Sequence, residues 1–339
     1  MPRKKPKALV LLSGGLDSRL VCRMLREQLG RKNIEAVFFI LPFGGGCCND
    51  RFCVTRFAQS QGFKLHIVDC TRGRMFRKYM DIIRNPEFQR GVGMNPCIDC
   101  HIFMLREAKK LARKIKTDFL ATGEVLGERP LSQNKGALNL IERKAGLEGK
   151  LLKPLSARLL PETLAEKKGW IKRSSMLDIQ GRQRKRQIAL ARKFKISFPS
   201  PGGGCLLTEK EFSKRLRALL DLKGEISPDY TELLKLGRHF MKGKSIIIVG
   251  RREEENKRLL KTARKQGIPY MEVKKYMGPV SLVLGRAGRD ALKAAAGLTV
   301  RYSDSPRGRM VELEYRKGKI RKSLKAKPIP RRELEGLRL

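Results

Sequence analysis

The chain has 339 residues, 41% of them hydrophobic, enough for two or three domains with ordinary cores and too many for global disorder. Its 76 Lys+Arg stand against 33 Asp+Glu, a net charge of +43, which exceeds what solubility needs and points to a polyanionic partner, nucleic acid before membrane. No apolar stretch approaches the ~18 residues of a membrane span, and the run after the basic start is too short for a signal sequence, so a cytoplasmic protein without membrane contact is expected.

In chain order, Ala8–Leu12, Glu35–Leu41, Lys64–Asp69 and Phe119–Thr122 read as strands, and 16–29, 51–61, 72–84 and 98–115 as helices. This alternation predicts an α/β fold with a doubly wound parallel sheet, in which ligands bind beyond the C-terminal strand ends. The Ser13–Ser18 loop, the Gly44-Gly45-Gly46 loop and the Thr122-Gly123 turn would share that edge. From Glu124 to Ile171 the sequence turns irregular. Ile179–Lys195 reads as a basic helix, followed by the rigid segment Phe198-Pro199-Ser200-Pro201-Gly202-Gly203-Gly204-Cys205. A break near Ser227-Pro228 opens a smaller C-terminal α/β domain, with strands over Ser245–Val249, Pro269–Val273 and Pro279–Leu284 and helices near 253–266 and 287–296. The expected organisation is 1–170, 171–227, 228–327 and a loose basic tail over 328–339.

Ser13-Gly14-Gly15-Leu16-Asp17-Ser18 lies between the first strand and the first helix. Such a turn aims backbone N–H groups and a positive helix end at one spot, a site for phosphate or pyrophosphate. It is not a Walker A loop, because no Gly-Lys-Ser/Thr follows. The six residues resemble the SGGxDS loop of the PP-loop ATP pyrophosphatases, which split ATP between the α and β phosphates and adenylate a substrate. The resemblance implies that the loop N–H groups, with Ser13 and Ser18, hold the pyrophosphate, and that Asp17 orients Mg²⁺ or the loop.

Eight cysteines are present, and a cytoplasmic chain would not use them for structural disulfides. Cys22 and Cys70 read as core fillers. Cys97-Ile98-Asp99-Cys100 puts two thiols on the first turn of a helix, whose N-terminus is expected to lower their pKa. With His101 it also spells the c-type haem pattern, which the lack of export argues against. A zinc site on Cys97, Cys100, His101 and Cys205, or a redox dithiol, fits the same residues. Cys205 follows glycines that let a bulky group approach the backbone. Cys97, Cys100 and Cys205 give three thiolates, one fewer than a fully Cys-ligated cluster, so a [4Fe–4S] cluster would keep one iron open for hydrosulfide. Cys47, Cys48 and Cys53 stand near the second strand without a settled role.

The combination resembles the PP-loop tRNA thiolation enzymes. Thr122-Gly123-Glu124-Val125-Leu126-Gly127 with Ser132-Gln133 resembles the TGE-xx-G-xxxx-SQ pattern of tRNA 4-thiouridine synthetases, and Leu152-Lys153-Pro154-Leu155 their RPL element. Asn95-Pro96-Cys97 and Gly203-Gly204-Cys205-Leu206-Leu207 resemble elements of that group and of the tRNA 2-thiouridylases. The resemblance covers about residues 7 to 215. It implies ATP binding by Ser13, Gly14, Gly15, Leu16, Asp17, Ser18, Gly123 and Gln133, with Asp17 and Cys205 catalytic. ATP, Mg²⁺ and a [4Fe–4S] cluster are the implied cofactors, and tRNA with sulfide or a persulfide carrier the implied partners. Gly237-Arg238-His239-Phe240 and the segment 248–256 resemble an RNA-binding module of the NFACT type. A PP-loop ligase or amidotransferase, and a non-enzymatic RNA-binding protein with a structural zinc, are the rival functions. A homodimer is left open, as is the choice between the 2- and 4-carbonyl. With one Trp and six Tyr, base stacking is not the main RNA contact.

Overall fold

A strand with parallel neighbours on both edges must be apolar on both faces. β1 (Ala8–Leu11) meets that demand: Ala8, Leu9 and Val10 are wholly buried. The computed structural model describes residues 5–44, 51–88, 93–199 and 204–339. Gly45, Gly46, Cys47, Cys48 and the Ser200–Gly203 stretch, all singled out above, lie outside the described residues.

The chain divides into two units, Met1–Thr208 and Glu209–Leu339. In the first, β1 leads to α1 (Leu16–Leu29), β2 (Ile34–Ile40), α2 (Arg51–Gln61), β3 (Lys64–Asp69), α3 (Gly73–Arg84), α4 (Cys97–Ile115) and β4 (Phe119–Thr122). α5 (Lys135–Ala145), the two-residue β5 (Leu151–Leu152), α6 (Leu164–Lys167) and α7 (Lys185–Lys193) follow. The sheet order is β3-β2-β1-β4-β5 and every pairing is parallel. This is the doubly wound parallel sheet that the alternation of elements predicts. Leu16, Leu20, Val21 and Leu25 on one stripe of α1 close the core against Phe38 and Ala121.

The second unit holds α8 (Lys210–Leu222), α9 (Pro228–Leu233), β6 (Arg238–Met241), β7 (Ser245–Val249), α10 (Glu253–Gln266), β8 (Tyr270–Val273), β9 (Ser281–Gly285), α11 (Arg289–Arg301), β10 (Val311–Lys317), β11 (Ile320–Ala326) and α12 (Arg331–Leu337). Its six-stranded sheet runs β11-β10-β8-β9-β7-β6, antiparallel throughout.

Two sequence expectations are corrected. The break falls at Thr208–Glu209 rather than near Ser227-Pro228, because Leu216 and Leu219 of the amphipathic α8 are fully buried within the second unit. The basic helix α7 belongs to the first unit and packs on α1. The last twelve residues are not a loose tail: Leu334 and Leu337 of α12 are buried in the second core with Phe240, and Arg338 bridges to Phe240. The basic run over Arg316–Lys327 forms most of the β10–β11 hairpin, where Arg316 and Arg321 both pair with Glu314.

Leu334→Ala should therefore cost roughly 2–3 kcal/mol, as a buried Leu truncation does. Urea unfolding monitored by circular dichroism checks it, and an unchanged midpoint would make α12 peripheral after all.

Candidate active site

Register sets the site. Leu11 of β1 lies opposite Thr122 of β4, so the Ser13–Ser18 loop and the Thr122-Gly123 turn leave the sheet side by side. The approach is close: a Cβ on Gly123 would fall 2.6 Å from the Ser18 nitrogen and 2.8 Å from the Asp17 carbonyl carbon. Gly14 takes φ 87°, a left-handed conformation natural to glycine. Ser13 Oγ donates to Ser18 Oγ at 3.2 Å, and Ser18 Oγ lies 3.0 Å from the Gly15 carbonyl as donor. The loop thus hands over directly to the N-terminus of α1, whose first-turn N–H groups have no acceptor within the helix.

Beneath the loop lies Arg19, 3% exposed. Its Nε donates to the Gly14 carbonyl at 2.7 Å, one Nη to the Ser197 carbonyl at 2.7 Å and the other to Cys53 Sγ at 2.9 Å. The guanidinium also lies over the Phe57 ring, 4.8 Å from its centroid. One side chain thus joins the loop to α2 and to the segment that leads toward Cys205. Nothing in the Ser18-Arg19 dipeptide marks this, since an arginine in a first turn reads as solvated.

Asp17 is only partly exposed. Burial pushes its pKa up, against the opposing charge of Arg184, whose Nη lies 3.4 Å from Oδ2. Its Oδ1 is buried without a hydrogen-bond partner, and so is Oε1 of Gln133. Orphaned oxygens at a phosphate loop suit a hard cation such as Mg²⁺, which takes oxygen ligands. Arg184 comes from the basic stretch before α7.

Below Gly123 is a buried polar chain. His101 Nδ1 lies 2.8 Å from Glu124 Oε1, and Thr122 Oγ1 donates to Oε2 at 2.9 Å. Burial opposes the Glu124 charge, but the His101 hydrogen bond, the charges of His101 and Lys153, and Thr122 outweigh it and bring the pKa to about 2. Lys153, itself buried, pairs with Glu142. His101 Nδ1 is thereby committed to Glu124, which leaves Nε2 as the ring nitrogen for the zinc set considered above.

The cysteines gather through a backbone strap. In the short 3₁₀ turn Leu206–Thr208, the Leu206 N–H donates to the Phe43 carbonyl at 3.0 Å. The Leu207 carbonyl accepts from Met94 and Asn95 at 3.1 and 3.2 Å, just ahead of α4. Cys205 is thus fastened beside the first turn of α4, close enough for the charges of Cys205 and Cys97 to bear on Cys100. Cys100 is buried, with Sγ 3.5 Å from the hydroxyl of the fully buried Tyr79. The expected lowering of the thiol pKa is reversed. Burial pushes both Cys97 and Cys100 up and outweighs the helix end, although Arg129 pulls Cys97 the other way. Asp99 instead fixes the incoming chain, accepting from the Glu87 and Phe88 nitrogens at 3.1 and 3.0 Å. Among the described residues, no group of three or more His, Cys, Asp or Glu side chains is arranged to hold a metal ion. Tyr79 and Arg129 carry no sequence signal. A groove of about 1040 Å³ beside Trp170 and Phe194 lies at the far end of α1 and has no part in this edge.

Residues 6–143 match the family described as the tRNA methyl transferase HUP domain, and residues 237–338 the NFACT protein RNA binding domain. The chain is 31% identical over 150 residues to the tRNA-specific 2-thiouridylase MnmA of Anaplasma marginale, covering 40% of this chain and 38% of that protein. It is 34% identical over 131 residues to MnmA of Cytophaga hutchinsonii, covering 35% of each. The chain therefore spans less than two-fifths of the curated relatives it matches. The structure of the U34-tRNA thiolase NcsA from Methanococcus maripaludis with its [4Fe-4S] cluster overlays with a TM-score of 0.34 at 20% identity, over 59% of this chain and 61% of that one. An overlay at that score carries no inference. The first unit resembles the PP-loop tRNA thiolation group, and the second the NFACT RNA-binding module.

Gly123→Ala should weaken ATP binding at least tenfold by pushing the loop off α1, measured by isothermal titration. Unchanged affinity would mean the turn yields. Glu124→Gln should destabilise the fold by on the order of 3 kcal/mol near pH 7, because a depressed carboxylate pKa stabilises the native state above the unfolded value. The deficit relative to wild type should shrink as pH falls from about 4.5 toward 2, in denaturation curves taken across that range.

Proposed function

We propose that the chain is an ATP-dependent tRNA sulfurtransferase. A uridine carbonyl oxygen attacks the α-phosphate of ATP, and pyrophosphate departs along the Ser13–Ser18 loop. Phosphoryl chemistry of this kind depends on positioning and charge neutralisation. Ser13, Gly14, Gly15, Leu16 and Ser18 hold the pyrophosphate, Gly123 and Gln133 border the nucleotide, and Asp17 holds Mg²⁺. The carbon, now bearing an adenylate leaving group, takes sulfur, and AMP departs with the former carbonyl oxygen. The reading rests on one observation: Cys205 is fastened by the Leu206–Thr208 strap to the segment opening α4, so thiols and nucleotide loop share a sheet edge.

Cys97, Cys100 and Cys205 are the residues that would hold a [4Fe–4S] cluster, which when bound supplies an open iron for hydrosulfide. Cys205 and Cys97 lie near enough for their charges to bear on the buried Cys100, although the described residues do not draw the three into a metal-binding group. The sulfur route without a cluster is a Cys205 persulfide. Its terminal sulfur attacks the activated carbon, and the Cys97 or Cys100 thiolate then takes the Cys205 sulfur as a disulfide, releasing thiouridine. An external dithiol returns the disulfide to thiols. The partly exposed Cys205 suits this role, whereas the raised pKa values of Cys97 and Cys100 oppose the thiolate that the resolving step needs.

Incubation with tRNA, ATP, Mg²⁺ and sulfide, followed by nucleoside mass spectrometry, should reveal a thiouridine. Cys205→Ser should abolish it while tRNA binding persists, whereas unfolding with zinc loss would favour a structural site. Absence of any thionucleoside on cognate tRNA would sink the reading. Iron and sulfide assays after anaerobic purification separate the two sulfur routes, since a colourless active protein excludes the cluster.

A further inference from the structure

Side chains on β6 and β7 alternate between two faces. Phe240 pairs across with Ile247, and both point into the core under α11 and α12. His239 pairs with Ile248 and so occupies the opposite face. There α8 packs on β7 and carries Arg215. Arg251 follows two residues after the last residue of β7, beside the start of β6.

The three side chains make an unusual group. His239 is 3% exposed, and neither ring nitrogen makes a hydrogen bond of normal geometry. The Arg215 Nε is also buried without a partner. Burial, then the charge of Arg215, holds His239 down to about 3, and the Leu233 carbonyl and Arg251 add opposing smaller effects. Burial and the charge of Arg251 likewise lower Arg215, against Glu211 and Glu209. Glu211 is itself exposed and paired with Lys214 at 3.4 Å. Two cations and a buried imidazole thus lie near one another, and the Arg215 Nε and both His239 ring nitrogens stay unsatisfied although Glu211 and Glu209 bear on Arg215. Buried donors in that condition cost stability unless something accepts from them. A phosphate oxyanion accepts from guanidinium and imidazole alike.

We propose that Arg215, Arg251 and His239 form a phosphate-binding site in the C-terminal unit, occupied by a backbone phosphate of the RNA substrate. The RNA assignment rests on the tRNA reading above, while the phosphate chemistry stands without it. His239 and Arg251 lie near the start of the segment that matches an RNA-binding family, with Arg215 ahead of it, and contacts of this type fix register on RNA without reading sequence.

The test uses the full chain in two arms. In the first, thermal unfolding is compared in inorganic phosphate and in chloride at equal ionic strength. Phosphate should raise the Tm of the wild type and leave that of Arg215→Gln unmoved. In the second, tRNA binding is measured from 50 to 300 mM KCl. Arg215→Gln should bind roughly 3- to 10-fold more weakly at low salt, with a log K against log salt slope smaller by about 1. Arg251→Gln, at an exposed position that cannot unseat the core, should lose the same slope. Unaltered slope and unaltered phosphate response in both variants overturn the site. A phosphate response with unaltered tRNA slope overturns the RNA assignment and leaves a free-phosphate site. Failure of the wild type to bind tRNA refutes the tRNA reading, with the first arm still deciding the site.

Discussion

The buried guanidinium of Arg19 is the constraint on which the first unit turns. A cation so deep is tolerable only with its donors engaged, and each of its partners comes from a different piece of chain: Gly14, Cys53 and Ser197. The nucleotide loop, the helix after the second strand and the stretch leading to Cys205 are therefore mutually dependent. Removing one partner leaves charge buried without compensation, which is why these segments keep one arrangement rather than several.

Above that anchor two chemistries meet. The loop side uses glycine to bring backbones together and Asp17 to present a carboxylate that burial and Arg184 pull in opposite directions. The thiol side uses burial to keep sulfur protonated, against the Tyr79 hydrogen bond, which favours the thiolate. Arg129 is felt by both Asp17 and Cys97, so one exposed cation bears on each half. The His101–Glu124–Thr122 chain lies under the turn between them and gives it a fixed floor.

Much of this was legible in the residues. Parallel strands buried on both faces read as short apolar runs, and glycines at the loop and at position 123 mark the close contacts. The antiparallel second sheet was legible only in part, because β10 and β11 are dense in charge and read as a solvated basic run. The tail was misjudged because its two buried leucines stand among four charged residues in the Arg331–Leu337 helix. Arg19 and Tyr79 were invisible for a different reason. Their roles depend on what folds over them, and no local pattern encodes that. The helix-end effect on Cys97 and Cys100 was a sound local argument that burial overrode.

The strap at Leu206–Thr208 has an evolutionary meaning. It reaches Phe43 and residues 94–95 through main-chain hydrogen bonds, outside any sheet ladder. Backbone contacts tolerate changes of side chain, so the cysteine it delivers can be exchanged, lost or regained without redesigning the nucleotide half. On the sulfurtransferase reading proposed above, a lineage carrying this fold could retool what it attaches to an activated carbon while leaving the activation itself untouched.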